Sequence, residues 1–151
     1  MKRLLRSPVV NAVCLTVFTA FYACVFFLIS GNLGAGSALS GRDASPLWSF
    51  WCKFLAAGHQ VYIAYALTAV TILVVVLLLI RRRPYDEYHT AILTHCLVIA
   101  AMLTLAAIEV FYLLILSNPA DIIEKFTLFI VIHWTTIVFD NLAYVLLCRW
   151  R

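Results

Sequence analysis

Four long apolar runs, at residues 9–29, 54–80, 91–116 and 126–147, constrain this chain more than any other feature. A helix rises about 1.5 Å per residue and needs about 20 apolar residues to cross about 30 Å of hydrocarbon, and each run reaches that length. Strands of a membrane barrel are about half as long and alternate in polarity; these runs do neither. No water satisfies the backbone inside hydrocarbon, so such a run becomes a helix that bonds its own N–H and C=O groups. Composition agrees. The 151 residues are 65% hydrophobic and 12% charged, against about 45–50% and about 25% in a soluble domain. The expected fold is an all-α membrane protein, a four-transmembrane-helix bundle running up-down-up-down as a single domain over residues 1–151.

The links between the runs collect the residues that the runs lack. Gly31, Gly34, Gly36, Gly41 and Pro46, with Ser37, Ser40 and Ser45, mark a solvated loop. Arg81, Arg82, Arg83 and Pro84 end the second run. Ser117, Asn118 and Pro119 end the third, after which Asp121 and Glu124 favour the start of a fourth helix through its dipole. Asp86 and Glu87 do the same for the third. No internal repeat is visible.

Orientation follows the distribution of Lys and Arg. Lys2, Arg3, Arg6, Arg81, Arg82, Arg83, Arg149 and Arg151 fall on one side, and Arg42, Lys53 and Lys125 on the other. Both termini and the central loop are therefore expected on the cytoplasmic face of the cell membrane, as in a multi-pass protein with N- and C-termini inside. The net charge of +4 is a topology signal with some affinity for anionic headgroups, and nucleic acid is not an expected partner. Residues 1–6 are a basic start, but the run after them is longer than the 7–15 residues or so of a signal h-region. It is read as a retained span.

Before the second run, Trp48, Trp51 and Leu55 recur at i, i+3 and i+7, with Phe50 and Phe54 beside them. Aromatic rings with one polar edge favour the headgroup zone. The segment is expected either as a short interfacial helix or as an aromatic belt opening one continuous helix. Trp48, Trp51 and Trp150 are the candidate interfacial anchors.

Ionisable residues within a span are costly and point to function. Here they are His95, Glu109, His133 and Asp140. Counting along the helices sets Glu109 and His133 at one depth, about 10 Å below the outer edge, and His95 and Asp140 within about one turn of each other near the inner end. Asn11 and Asn141 can join the inner layer. His133, Thr136, Asp140 and Tyr144 share one face of the fourth helix, and His95, Met102 and Glu109 recur at two heptads on the third. The two stripes are expected to turn toward each other as a polar seam. Such a seam serves either as interhelical glue or as a path for protons or cations.

Other chemistry is poorly represented. No HxxxH, CxxC, HExxH, GxSxG or phosphate-binding glycine loop occurs, and histidines suited to bracketing a haem do not share a depth. No metal, cofactor or enzymatic activity is expected. Cys14, Cys24, Cys52, Cys96 and Cys148 form no disulfide framework. The leading expectation is a non-enzymatic structural or accessory component that packs with itself, as a homo-oligomer, or with a larger membrane partner; the second is a proton- or ion-coupled transporter or channel subunit.

Overall fold

A computed structural model describes residues 7–32, 46–80, 86–117 and 122–149. Five helices make up these residues: α1 (Pro8–Asn32), α2 (Pro46–Ala56), α3 (Gln60–Ile80), α4 (Glu87–Ser117) and α5 (Ile122–Arg149). Four of them, all but α2, are long and apolar enough to cross a membrane. Trp150, the Arg81–Arg83 triplet, most of the Gly/Ser-rich loop and Asn118 to Asp121 lie outside the described residues.

The helix starts follow from local chemistry. In α1 the Ser7 carbonyl accepts the first backbone bond, from Asn11 N–H at 3.3 Å, and Pro8, with no N–H to lose, takes the first helical position. In α4 the Asp86 carboxylate accepts from Glu87 N–H at 2.7 Å, while its carbonyl accepts from Thr90 N–H at 3.0 Å. The helix thus begins one turn earlier than the apolar run at residue 91 suggests, and takes in Tyr88 and His89. Helix α5 likewise starts at Ile122 rather than 126, which puts Glu124 and Lys125 in its first turn.

The largest departure from the sequence reading is the start of the second span. The run at 54–80 is broken, because α2 closes at Ala56 and α3 opens at Gln60. Gly58 sits at φ 74°, a left-handed conformation that residues with a Cβ adopt only at a cost. Around it Gly58 N–H donates to Leu55 C=O at 3.0 Å and His59 N–H to Phe54 C=O at 3.2 Å. This double closure is the Schellman motif. Its usual apolar clasp is present too, with the rings of Phe54 and His59 5.5 Å apart and edge-on. The segment before span two is therefore a separate short helix and not a continuation of it.

Two buried clusters hold the bundle. One joins Ala12 and Leu15 of α1, Val74 and Leu78 of α3, Leu93 and Cys96 of α4, and Tyr144 and Val145 of α5. The other joins Phe26 of α1, Ala64 and Leu67 of α3, and Ile130, Trp134 and Val138 of α5. Helix α4 is missing from the second cluster. Helix α5 packs against all the others, α1 packs mainly on α3, and α4 packs mainly on α5. Only 6% of the α4 apolar window is buried within the protein, against 22%, 28% and 33% for the other three.

Candidate functional site

The most buried row of α5 passes through Ile130, Trp134, Val138, Asn141 and Val145. These lie at helical spacings of four, four, three and four residues, so they form one stripe. Trp134 is 0% exposed and meets Phe26 of α1 with ring centroids 6.3 Å apart. His133 and Asp140 each sit one residue, or about 100°, away from this stripe and are only half-buried. The inward face of α5 is thus mainly apolar.

His133 turns toward α1. Its Nδ1 is hydrogen-bonded to the Tyr22 hydroxyl at 2.5 Å, and the imidazole is walled by Phe18, edge-on at 5.9 Å, and by Phe129 at 5.8 Å. Phe18 and Tyr22 stack at 4.3 Å. Sequence reasoning missed Tyr22, because a tyrosine inside an apolar run carries no sign of its direction. A second polar contact lies between α1 and α3. Thr71 donates to the Leu67 carbonyl at 2.8 Å, so across the 3.3 Å contact with Thr19 the Thr19 hydroxyl is the donor.

The expected seam between α4 and α5 is not what the structure shows. Glu109 and His95 are both exposed on α4 and make no hydrogen bond or ion pair with His133, Asp140 or any other described residue. Asp140 is half-buried and has no hydrogen bond among the described residues. Asn141 is buried, and its Nδ2 donates back to Ile137 C=O at 2.9 Å. Asn11 holds a buried Nδ2 that has no partner among the described residues. The physical reason is the register of α4: Leu93, Cys96 and Ala100 face the bundle, and the stripe through Met102 lies on the far side.

That far side is ordered in its own way. His95, Met102 and Glu109 extend into a row through Ala91, His95, Val98, Met102, Leu105, Glu109, Tyr112 and Leu116, in alternating steps of four and three, and every member is exposed. This is the a/d pattern of a helix that packs on another helix. Met102, 66% exposed, is the middle residue of α4. His95 and Glu109 lie seven residues, or about 10 Å, to either side of it.

At the other end of the molecule α2 caps the start of α5. Cys52 and Leu55 are buried, and Trp48 and Trp51 half-buried, while Phe50 and Lys53 are exposed. The Trp51 indole N–H donates to the Glu124 carbonyl at 3.1 Å, and the Lys125 ammonium lies 5.9 Å from the centre of the Trp48 ring, within cation–π range. The two tryptophans thus seat α2 on protein.

His59 packs between Phe54 and Tyr62 on the α2–α3 turn. Among the described residues no three of His, Cys, Asp and Glu gather into a group able to hold a metal ion. Compared with known protein families, with curated proteins and with solved structures, the chain matches none of them.

Proposed function

We propose that this chain is a non-enzymatic structural or accessory component of the cytoplasmic membrane that self-associates through the outer face of α4. Successive spans alternate in direction, with both termini on the cytoplasmic side, as the Lys and Arg distribution favours. The observation that carries the reading is the exposed heptad row of α4 with a carboxylate in it. An acidic or basic group at the middle of a lipid-facing helix costs about 2.5–3.5 kcal/mol on insertion scales. Glu109, about 10 Å from the middle of α4, is exposed with no partner among the described residues and so bears part of this cost, which a second copy covering the row reduces. In a two-fold pair with its axis along the membrane normal, Glu109 meets Glu109 of the second copy, and with a proton on one of them its O–H donates to the carboxylate of the other across the seam.

Crosslinking in native membranes tests this. In a background with the natural cysteines replaced, Met102→Cys should form an oxidative disulfide dimer, since seam positions bring Cα atoms within the roughly 4.4–6.8 Å a disulfide needs. Phe139→Cys, exposed on α5, should not. Equal crosslinking at both positions, or none at Met102→Cys, overturns the reading. For orientation, a membrane-impermeant maleimide should label Ser37→Cys in intact cells and leave Arg82→Cys unlabelled; the reverse pattern refutes the proposed topology.

A further inference from the structure

The face of α2 that does not touch α5 carries chemistry of its own. Phe50, Lys53 and Ala57 follow at spacings of three and four residues, about half a turn round the helix from Trp48, Trp51, Cys52 and Leu55. All three are exposed. Ala57 lies just past the end of α2, but its N–H donates to the Lys53 carbonyl at 3.0 Å and so continues the same turn.

A chain of rings carries this face onto the second span. Phe50 lies 6.3 Å from Phe54, Phe54 5.5 Å from His59, and His59 5.8 Å from Tyr62, measured between ring centroids. Phe50, His59 and Tyr62 are exposed. Helix α3 has 21 residues, or about 31 Å, close to the thickness of the hydrocarbon core. Tyr62, its third residue, therefore stands at the edge of the hydrocarbon on the lipid side, and the rings place Phe50 along that same edge.

Charge indicates what lies against this edge. Glu124 and Lys125 are buried, and the Lys125 ammonium is turned over Trp48. Lys53 is exposed, and its ammonium makes no ion pair, hydrogen bond or ring contact among the described residues. It is the one exposed charge among the described residues at the headgroup level of this end. A cation without a partner, one turn from an exposed phenyl ring at the hydrocarbon edge, is complementary to an anionic headgroup with its acyl chains below.

We infer that this face of α2 binds the headgroup of an anionic phospholipid, with the phosphate beside Lys53 and the Phe50 ring at the acyl boundary. Trp48 and Trp51, the anchors suggested by spacing, are taken up by α5, and the membrane contact of α2 falls to the opposite face. The inference goes beyond the self-association reading and does not depend on it.

Local quenching in vesicles tests it. In the full-length chain with the natural cysteines replaced, Ala57→Cys places a nitrobenzoxadiazole label beside Lys53 and leaves Lys53 and Phe50 intact. In phosphatidylcholine vesicles a lipid nitroxide near the top of the acyl chain should quench the label, and aqueous iodide should not. Nitroxide-labelled phosphatidylglycerol should act at about a fifth of the concentration needed with phosphatidylcholine, the equivalent of about 1 kcal/mol per basic residue near anionic lipid. Lys53→Gln should make the two lipids quench alike, and Lys53→Glu should reverse their order; both changes fall on an exposed side chain and leave the packed face of α2 untouched. A label open to iodide and unaffected by the lipid nitroxide overturns the inference, as does equal quenching by the two lipids with Lys53 in place, or a preference that survives Lys53→Gln.

Discussion

The Tyr22 hydroxyl is hydrogen-bonded to His133 Nδ1 at 2.5 Å, tying α1 to α5 across 111 residues of sequence. The bond sits in an aromatic enclosure made by Phe18 and Phe129, where neither partner finds a ready replacement in hydrocarbon. His133 is thus anchored to the first span and not to the carboxylate of the third.

Tyr22→Phe keeps the ring and removes the bond. The expected loss of stability is about 0.6 kcal/mol, rising to at most about 1.7, the range for hydrogen bonds between membrane helices. A double-mutant cycle with His133→Leu, measured by unfolding in a graded detergent titration, should return a coupling of that size. The matching cycle between Glu109→Gln and His133→Leu should return none. Coupling in the second cycle and not the first contradicts the arrangement described above.

Gly58→Ala should destabilise the protein by about 1–2 kcal/mol, the cost of a left-handed residue with a Cβ. The added methyl meets nothing within 4 Å, so the loss is one of backbone conformation and not of collision. Gly58→Asn should be milder, since asparagine visits this region more readily. Unfolding midpoints of the three proteins in one detergent decide the matter; a neutral Gly58→Ala means the turn is not needed in the form seen.

Trp134→Ala should cost about 3–5 kcal/mol, as expected for emptying a large, fully enclosed site, because Trp134 is wholly buried between α1 and α5. Phe139→Ala, five residues on and 53% exposed, should change stability by well under half of that. Thermal unfolding followed by circular dichroism separates the two, and similar losses would show that the α5 face has been wrongly assigned.

The number and nature of the spans were legible in the sequence because the bilayer imposes a length on any apolar run. The shared face of Trp48, Trp51 and Leu55 on α2 was legible too, but it was read as facing headgroups, whereas Trp51 and Trp48 pack on the start of α5. The break at Gly58 was harder to see. A single glycine inside an apolar run reads as a small packing residue until the bonds around it are known. The direction of Glu109 was hidden for a different reason. In a helix that is apolar all round, periodicity shows which residues share a face but not which face meets protein. His95, Met102 and Glu109 do share a face, as the heptad spacing indicates, and that face is turned outward. The depth match between Glu109 and His133 was a statement about height only, and helix rotation decided the outcome.

The dependence of α4 on α5 has a consequence for biogenesis. The ribosome delivers α1, α2 and α3 before α4, yet none of them offers α4 its main seat; that seat is the helix made after it. Until α5 is made, α4 thus lacks its principal packing partner. Any chain that ends before α5 therefore leaves α4 with only the contacts of Leu93 and Cys96 to the α1 and α3 members of the first cluster.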